Sequence, residues 1–204
     1  MKDASRVKEN IIRATTELIE QSSGRIHEIT SRKIAQQAGV GLGLINYHFG
    51  SKENLITICV QRIINNVVMC FSQKKDTADR SNLSDEERLA DWAKQVFDFL
   101  FENHAISSIS ILGDMQNYHI ESNSVYTQKG FLKAIQDQEM PEGDKRLLVF
   151  MLTGAMQIAF LSGDTAKELL GYDLTIKEQR DLYIEKTVNI LFAGVNGKGG
   201  ESHE

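Results

Sequence analysis

Only one proline, Pro141, interrupts the 204 residues of this chain, and long segments contain no residue that breaks a helix. Apolar residues recur along these segments every three or four positions, as at Val7, Ile11, Ala14 and Leu18. This spacing lines one face of a helix, whereas a half-buried strand needs apolar residues at every second position. The sequence therefore predicts an all-α fold.

The segment 30–49 has the most informative order of residues. Thr30 is a suitable N-cap for a short helix over 31–38, and Gly39 can adopt the positive φ of a tight turn. A second short helix follows over about 41–48. Two short helices joined by a glycine turn are typical of a helix-turn-helix, whose second helix enters the major groove of DNA. On this pattern alone, a generic helical corner remains the alternative.

The outer face of this second helix is unlike a solvated surface. We expect Gly41, Ile45 and His48 on the inner side, which leaves leucine, glycine, asparagine and tyrosine outside. Exposed leucines suit thymine methyl groups, an asparagine suits an adenine edge, and a glycine lets the backbone approach closely. Hydroxyl and cationic groups near helix N-termini suit phosphates. The predicted DNA-contacting residues are Thr30, Ser31, Arg32, Gly41, Leu42, Gly43, Leu44, Asn46, Tyr47, His48 and Lys52.

Residues 6–60 resemble the DNA-binding domain of TetR-family transcriptional regulators. The matching run is ITSRKIAQQAGVGLGLINYHFGSKENL over 29–55. It follows the family pattern Thr-x-Arg-x-Ile-Ala, Ala-Gly-Val, two aromatic residues before Phe, and Ser-Lys-Glu-x-Leu. Gly41 and Asn46 depart from the pattern, which usually has Ser or Thr and then Tyr at these positions. The resemblance implies base contacts from residues 42–46, and its implied phosphate contacts are Thr30, Arg32, Tyr47 and Lys52.

The distribution of charge agrees with an anionic partner for the N-terminal part. The whole chain has a net charge of −5, but residues 1–60 contain eight Lys or Arg and six acids, a net +2. The remaining residues contain 15 bases and 22 acids, a net −7. This asymmetry permits DNA binding at the N-terminal end, although it does not require it.

The rest of the chain predicts a larger helical domain. Helices are expected over 52–72 and over about 124–138, and capping boxes begin other helices at Ser84 and Thr175. The segment 144–162 is apolar on every side, so a two-fold helix bundle would bury it, with a central core helix as the alternative. The resemblance implies a homodimer formed through the last two helices. The predicted divisions are a helix-turn-helix domain over 1–50, an effector-binding and dimerisation domain over 51–193, and a disordered tail over 194–204.

A small-molecule site is expected in the helices of this second domain. Apolar and aromatic side chains with a few polar groups are typical of such sites, and the resemblance implies an effector, which the sequence does not identify. Aromatic and Met residues at helical spacing are more often simply core. The candidate effector-contacting residues are Trp92, Phe97, Met115, Tyr118, His119, Met151 and Met156.

Other functional classes have weak support. Asp114 and His119 diverge by about 140° around a helix, and no phosphate-binding glycine loop or nucleophile elbow is present. Cys59 and Cys70 fit buried thiols, with redox sensing as the alternative. We expect no catalysis, cofactor, metal or membrane span, and a cytoplasmic location. The expected function is a DNA-binding regulator, more often a repressor in the family, that recognises a near-palindromic operator. A helical protein–protein adaptor is the alternative.

Overall fold

The computed structural model describes residues 2–22, 28–73 and 82–196. Over these ranges the chain is helical and contains no strand, which confirms the predicted all-α class. The helices are α1 (Lys2–Gln21), α2 (Ser31–Ala38), α3 (Gly43–Phe49), α4 (Lys52–Gln73), α5 (Asp85–Glu102), α6 (His104–Gln116), α7 (Asn123–Leu132), α8 (Glu142–Leu161), α9 (Thr165–Leu170) and α10 (Lys177–Asn196).

The helices form two compact units. The first contains α1 to α4 together with α6, and the second contains α5 and α7 to α10. Because α4 and α6 belong with the N-terminal helices, packing does not divide the chain at residue 50. The assignment of functions to 1–50 and 51–193 is a separate matter and stays a prediction.

The first unit has an aliphatic core. The α1 stripe predicted from the sequence packs inward, with Ile11 and Ala14 buried and Leu18 half-buried. Cys59 of α4 lies in the same core, where its Sγ is 3.6 Å from the carbonyl oxygen of Ile12. Burial raises the pKa of the Cys59 thiol to about 11, so this cysteine is an unreactive core residue. The side chain of Cys70 lies outside the described part of the chain. The fully buried aliphatic residues of this core include Ile11, Ile19, Ile34, Ile45 and Leu55.

A buried charged pair joins α5 to α10 in the second unit. The Nε and Nη2 atoms of Arg180 donate to Oδ1 of Asp98 at 3.0 and 2.9 Å. Nη1 donates to the carbonyl oxygens of Leu174 and Thr175, and the guanidinium lies over the ring of Phe101 at 4.8 Å. With its donors paired, the Arg180 side chain can remain charged although it is almost fully buried.

The capping box at the start of α5 is confirmed. The Ser84 hydroxyl accepts from the backbone N–H of Glu87 at 3.2 Å, and the Glu87 carboxylate accepts from the backbone N–H of Ser84 at 2.8 Å. The hydrogen bonds from Ser84 hold the pKa of Glu87 below its usual value. The second predicted box, at Thr175, does not form in this way, because the Thr175 hydroxyl bonds to Asp173 and α10 begins at Lys177.

Several predicted helix boundaries are corrected. The second helix of the helix-turn-helix was expected over 41–48, but it begins at Gly43 and ends at Phe49. Helix α7 was expected to reach residue 138 but ends at Leu132. After Leu132, the Asp85 carboxylate accepts hydrogen bonds from the backbone N–H groups of residues 136 and 137, and these bonds hold the segment after α7 as a loop. The six-residue α9 was not predicted, because it is too short to show a period.

The predicted start of the disordered tail, at residue 194, is also corrected. Helix α10 continues to Asn196, so residues 194–196 are helical rather than part of a disordered segment. The remainder of that prediction, residues 197–204, lies outside the described residues.

Two kinds of feature are absent from the described ranges. No helix in them is both long enough and apolar enough to cross a lipid bilayer. No three His, Cys, Asp or Glu residues in them are grouped so that they could hold a metal ion.

The buried pair in the second unit leads to a stability prediction. Asp98→Ala should lower the free energy of unfolding by about 3 kcal/mol, because the mostly buried Arg180 guanidinium would lose its counter-charge. Chemical denaturation followed by circular dichroism measures this. Glu142→Ala is the control, since it removes a 3.0 Å pair with Arg146 that is exposed on both sides and should cost only about 0.5 kcal/mol. Equal effects of the two substitutions would contradict the prediction.

Candidate nucleic-acid interface

The first turn of α2 presents cationic side chains to solvent. Thr30 precedes the helix in an extended conformation, and its Oγ1 accepts from the backbone N–H of Lys33 at 3.2 Å, which confirms it as the N-cap. Arg32 and Lys33 are exposed and Ser31 is half-buried, while Ile34 packs into the core. Lys33 was not among the predicted contacts, although its place beside Arg32 in the first turn of a helix was a visible signal.

A glycine turn ends α2 and directs the chain into α3. Gly39 has φ +66° and ψ 36°, in the left-handed region. The backbone N–H of Gly39 donates to Gln36, and that of Val40 donates to Ala35 at 3.0 Å, so the last carbonyl groups of α2 are paired. The predicted positive φ at Gly39 is therefore confirmed, and the two short helices are joined as a helix-turn-helix requires.

Helix α3 has one buried face and one exposed face. Ile45 is fully buried and Phe49 almost so, and these two side chains anchor the helix. Leu42, Leu44, Asn46 and Tyr47 are exposed, as expected for side chains that point towards DNA. The exposed fraction of Tyr47 reaches 80%.

Of the two other positions expected on the inner side of α3, Gly41 lies elsewhere, whereas His48 is half-buried. Gly41 is exposed and precedes the helix, where its carbonyl oxygen accepts from the backbone N–H of Leu44 at 3.0 Å. His48 is half-buried, with its ring edge-on to Tyr47 at a centroid distance of 5.0 Å. The expected inward position of Gly41 is therefore wrong, because the helix begins later than its sequence pattern suggests.

The end of α3 is tied to the start of α4. The Ser51 hydroxyl accepts from the backbone N–H of Asn54 at 3.1 Å, and the Asn54 side-chain amide donates to the carbonyl oxygen of Phe49 at 2.9 Å. Lys52, the first residue of α4, has its Nζ 3.5 Å from Glu53 and a side chain that is 23% exposed. From α1, the Lys8 ammonium lies 5.7 Å from the centre of the Phe49 ring.

All eleven predicted DNA-contacting residues therefore lie in the first unit, on α2, on α3 and its preceding turn, and at the start of α4. Their individual contacts with phosphates and bases remain predictions.

The candidate effector-contacting residues are divided between the two compact units. Met115 and Tyr118 belong to the first unit, and the other five belong to the second. Within the second unit, Phe97 and Met156 are buried in the core, whereas His119 and Met151 are exposed. Trp92 is half-buried, with its ring 6.3 Å from that of Phe131. The effector site therefore also remains a prediction.

Comparison with known proteins identifies the helix-turn-helix. Residues 11–57, which span α2, α3 and parts of α1 and α4, match the family described as bacterial regulatory proteins, tetR family. The similarity to the TetR family extends over these residues. This match confirms the resemblance predicted from the sequence for the helix-turn-helix segment.

One curated relative matches over part of the chain. The nucleoid occlusion factor SlmA of Vibrio cholerae serotype O1 is 32% identical over 80 residues, which are 37% of this chain and 40% of that protein. The match therefore spans less than half of the length of that relative.

Solved structures share the fold over nearly the whole length of the chain. Two TetR regulators from Rhodococcus sp. RHA1 have TM-scores of 0.61 and 0.58 at 17% and 18% identity, and each match covers 94% of this chain. The match covers 98% of the first regulator and 97% of the second. The regulator FadR of Bacillus subtilis, in complex with stearoyl-CoA, has a TM-score of 0.55 at 22% identity, covering 92% of this chain and 98% of that one. At these identities the likeness establishes the fold.

The positive φ of Gly39 in the turn between α2 and α3 can be tested by substitution. Gly39→Ala should lower the free energy of unfolding by about 1 to 2 kcal/mol, because a residue with a Cβ is strained at a positive φ. Gly41→Ala is the matched control, since a Cβ there meets no atom within 4 Å and the backbone is not in the left-handed region. Thermal unfolding should separate the two variants. A tolerated alanine at position 39 would contradict the turn.

Proposed function

We propose that the protein is a homodimeric repressor that binds a near-palindromic operator through α2 and α3 and is released by a small-molecule effector. The observation that carries this proposal is the exposed face of α3. Ile45 and Phe49 anchor the buried face of α3 in the core, and the side chains on its exposed face are available to the edges of base pairs. This is the arrangement by which a recognition helix enters the major groove.

The groups around α3 suit the DNA backbone. Arg32 and Lys33 are exposed in the first turn of α2, where cationic side chains and backbone N–H groups both attract phosphate. Tyr47 presents its hydroxyl on the same surface as the exposed residues of α3. We assign these groups to positioning the protein on the duplex, with base recognition left to α3.

An apolar face on α8 and α10 supports a homodimer. The two helices are joined by a 3.0 Å hydrogen bond from the Tyr183 hydroxyl to the carbonyl oxygen of Ala155. Large apolar residues of both helices are nevertheless exposed at helical spacing, and exposed apolar residues in such numbers mark an interaction surface. The same face of a second copy would cover it about a two-fold axis, as closed symmetric dimers require. These exposed residues are Leu147, Phe150, Met151 and Ile158 of α8, and Leu182 and Ile190 of α10.

A two-fold dimer presents two copies of α3 in opposite directions. Its operator should therefore contain two inverted half-sites about one helical turn apart. Because the target is DNA, we place the protein in the cytoplasm, and we propose regulation rather than catalysis as its role.

An aromatic cluster in the interior of the second unit supports an apolar or amphipathic effector. Phe97 packs against Phe101 and Tyr183 at centroid distances of 5.2 and 5.7 Å, and Phe101 packs edge-on against Phe160 at 5.3 Å. FadR, which shares the fold, is in complex with stearoyl-CoA. Release from the operator requires that the effector bind more tightly to the conformation that does not fit DNA.

The decisive experiment is selection of binding sites from random DNA with the purified protein, followed by a salt titration on the selected site. The proposal expects a near-palindromic site and a steep fall of affinity with salt. An adaptor that binds only protein would enrich no sequence. Protein that has been unfolded and refolded to remove a co-purified effector should be tested in parallel, and failure of both preparations would overturn the proposal.

Loss of two predicted phosphate contacts should weaken binding in a salt-dependent way. In Arg32→Ala/Lys52→Ala, the slope of log affinity against log salt should fall by about one for each lost contact. Lys133→Ala/Lys167→Ala removes the same charge from the second unit and should leave the slope unchanged. Fluorescence anisotropy with the selected operator measures both, and equal slopes in the two variants would contradict the assignment of Arg32 and Lys52.

A charge on the apolar face should disrupt the dimer. Ile158→Glu and Ile190→Glu should each shift the protein to monomers in analytical ultracentrifugation, because a carboxylate would be buried without a partner. Ile120→Glu changes a residue that is similarly exposed but lies outside α8 and α10, and it should remain a dimer. If all three variants keep the oligomeric state of the native protein, the interface lies elsewhere.

A further inference from the structure

We propose that α3 recognises A·T base pairs in each half-site chiefly through thymine methyl groups, which Leu42 and Leu44 contact while Gly43 allows a close approach. This inference rests on the proposed operator binding and specifies its chemistry. It concerns which bases are distinguished, and it does not depend on the effector or on the identity of the regulated genes.

The composition of the helix excludes the commonest contact with guanine from α3 itself. Arg or Lys makes that contact, by bonding to O6 and N7 in the major groove. The sequence of α3, GLINYHF, contains neither residue, and the turn before it adds only Gly41 and Leu42. The exposed cations nearest in the chain, Arg32 and Lys33, lie in the first turn of α2, which is proposed to bind phosphates.

Two exposed leucines are placed where they can recognise thymine. Leu42 and Leu44 are 51% and 36% exposed, whereas Ile45 beside them is fully buried. The core therefore uses Ile45 and makes little use of the two leucines. The thymine C5-methyl is the apolar group that the major groove presents, and apolar side chains are its usual partners.

Asn46 favours the same type of base pair, A·T, through a different chemistry. Its side chain is exposed on α3, one helical turn beyond Leu42. An asparagine amide can bond to N6 and N7 of adenine together, which is the usual contact for that base. Adenine recognition by Asn46 and thymine recognition by the leucines both select A·T pairs.

No contact or backbone conformation within the protein requires a glycine at position 43. A Cβ at this position would meet no atom within 4 Å, and its φ is outside the left-handed region. Glycine is also a poor helix former, so alanine would suit the first residue of α3 better. Gly39 is different, because its φ of +66° favours glycine. The missing side chain at position 43 is explained by an external surface that approaches the backbone between the two leucines.

Replacement of thymine by deoxyuridine tests the methyl contacts directly. Each thymine of the selected half-site is replaced singly, which removes the methyl group and retains base pairing. At one or more positions the affinity of the native protein should fall about fourfold, the equivalent of about 0.8 kcal/mol for one buried carbon group. Leu42→Ala or Leu44→Ala should bind more weakly and lose this sensitivity at its own position. Leu112→Ala, which changes an exposed leucine of α6, should retain it.

Gly43→Ala provides a second measurement with two opposed readouts. Its melting temperature should equal or exceed that of the native protein, because alanine favours the helix. Its operator affinity should fall roughly tenfold, as for the loss of a good base contact. Gly113→Ala makes the same change at an exposed position of α6, where a Cβ also meets no atom within 4 Å, and should leave operator affinity unchanged.

The outcomes separate this inference from the function on which it rests. Operator binding that is insensitive to deoxyuridine at every position, or equally sensitive in both leucine variants, would overturn thymine recognition and leave the regulator intact. Undiminished operator binding by Gly43→Ala would overturn the close approach at that residue. Absence of any selected sequence would overturn the proposed function and this inference together.

Discussion

The burial of Ile45 and Phe49 is the interaction on which the proposed interface depends. Helix α3 has only seven residues, and a helix of that length is not stable by itself in water. Its position is set by these two side chains on one face, by the glycine turn before it and by the Asn54 amide that bonds to its last carbonyl group. The exposed face of α3 is therefore positioned by contacts that its own side chains do not make.

Prediction from the sequence was accurate where one short-range rule decides the structure. Thr30 as a cap, Gly39 with a positive φ, and the capping box of Ser84 and Glu87 each depend on residues within a few positions of one another. The start of α3 was misplaced because Gly41 and Leu42 continue the apolar pattern into the turn. The predicted length of helix α7 was too great because the segment after its end bonds to Asp85, which lies about fifty residues earlier in the chain.

The candidate site divides in the same way. The residues around α3 were predictable because they form one continuous segment with a recognisable order of residue types. The effector site has no such segment. Phe97 and Met156 proved to be core residues, and Met115 and Tyr118 belong to a different compact unit. Periodicity identifies the buried face of a helix, but it does not show which buried residues border a cavity. The ion pair between Arg180 and Asp98 was equally unpredictable from the sequence, because the two residues are separated by 82 positions in the chain.

The separation of the two faces of α3 has a consequence for how such a protein can evolve. Positions 42, 44 and 46 contribute little to the core, so they can be exchanged without loss of folding. Ile45 and Phe49 cannot be exchanged so freely, because large-to-small changes in a core leave cavities. After gene duplication, one copy could therefore acquire a new target sequence through a few substitutions on the outer face while it retained its architecture. Preference for target and stability of fold would then be inherited as nearly independent traits.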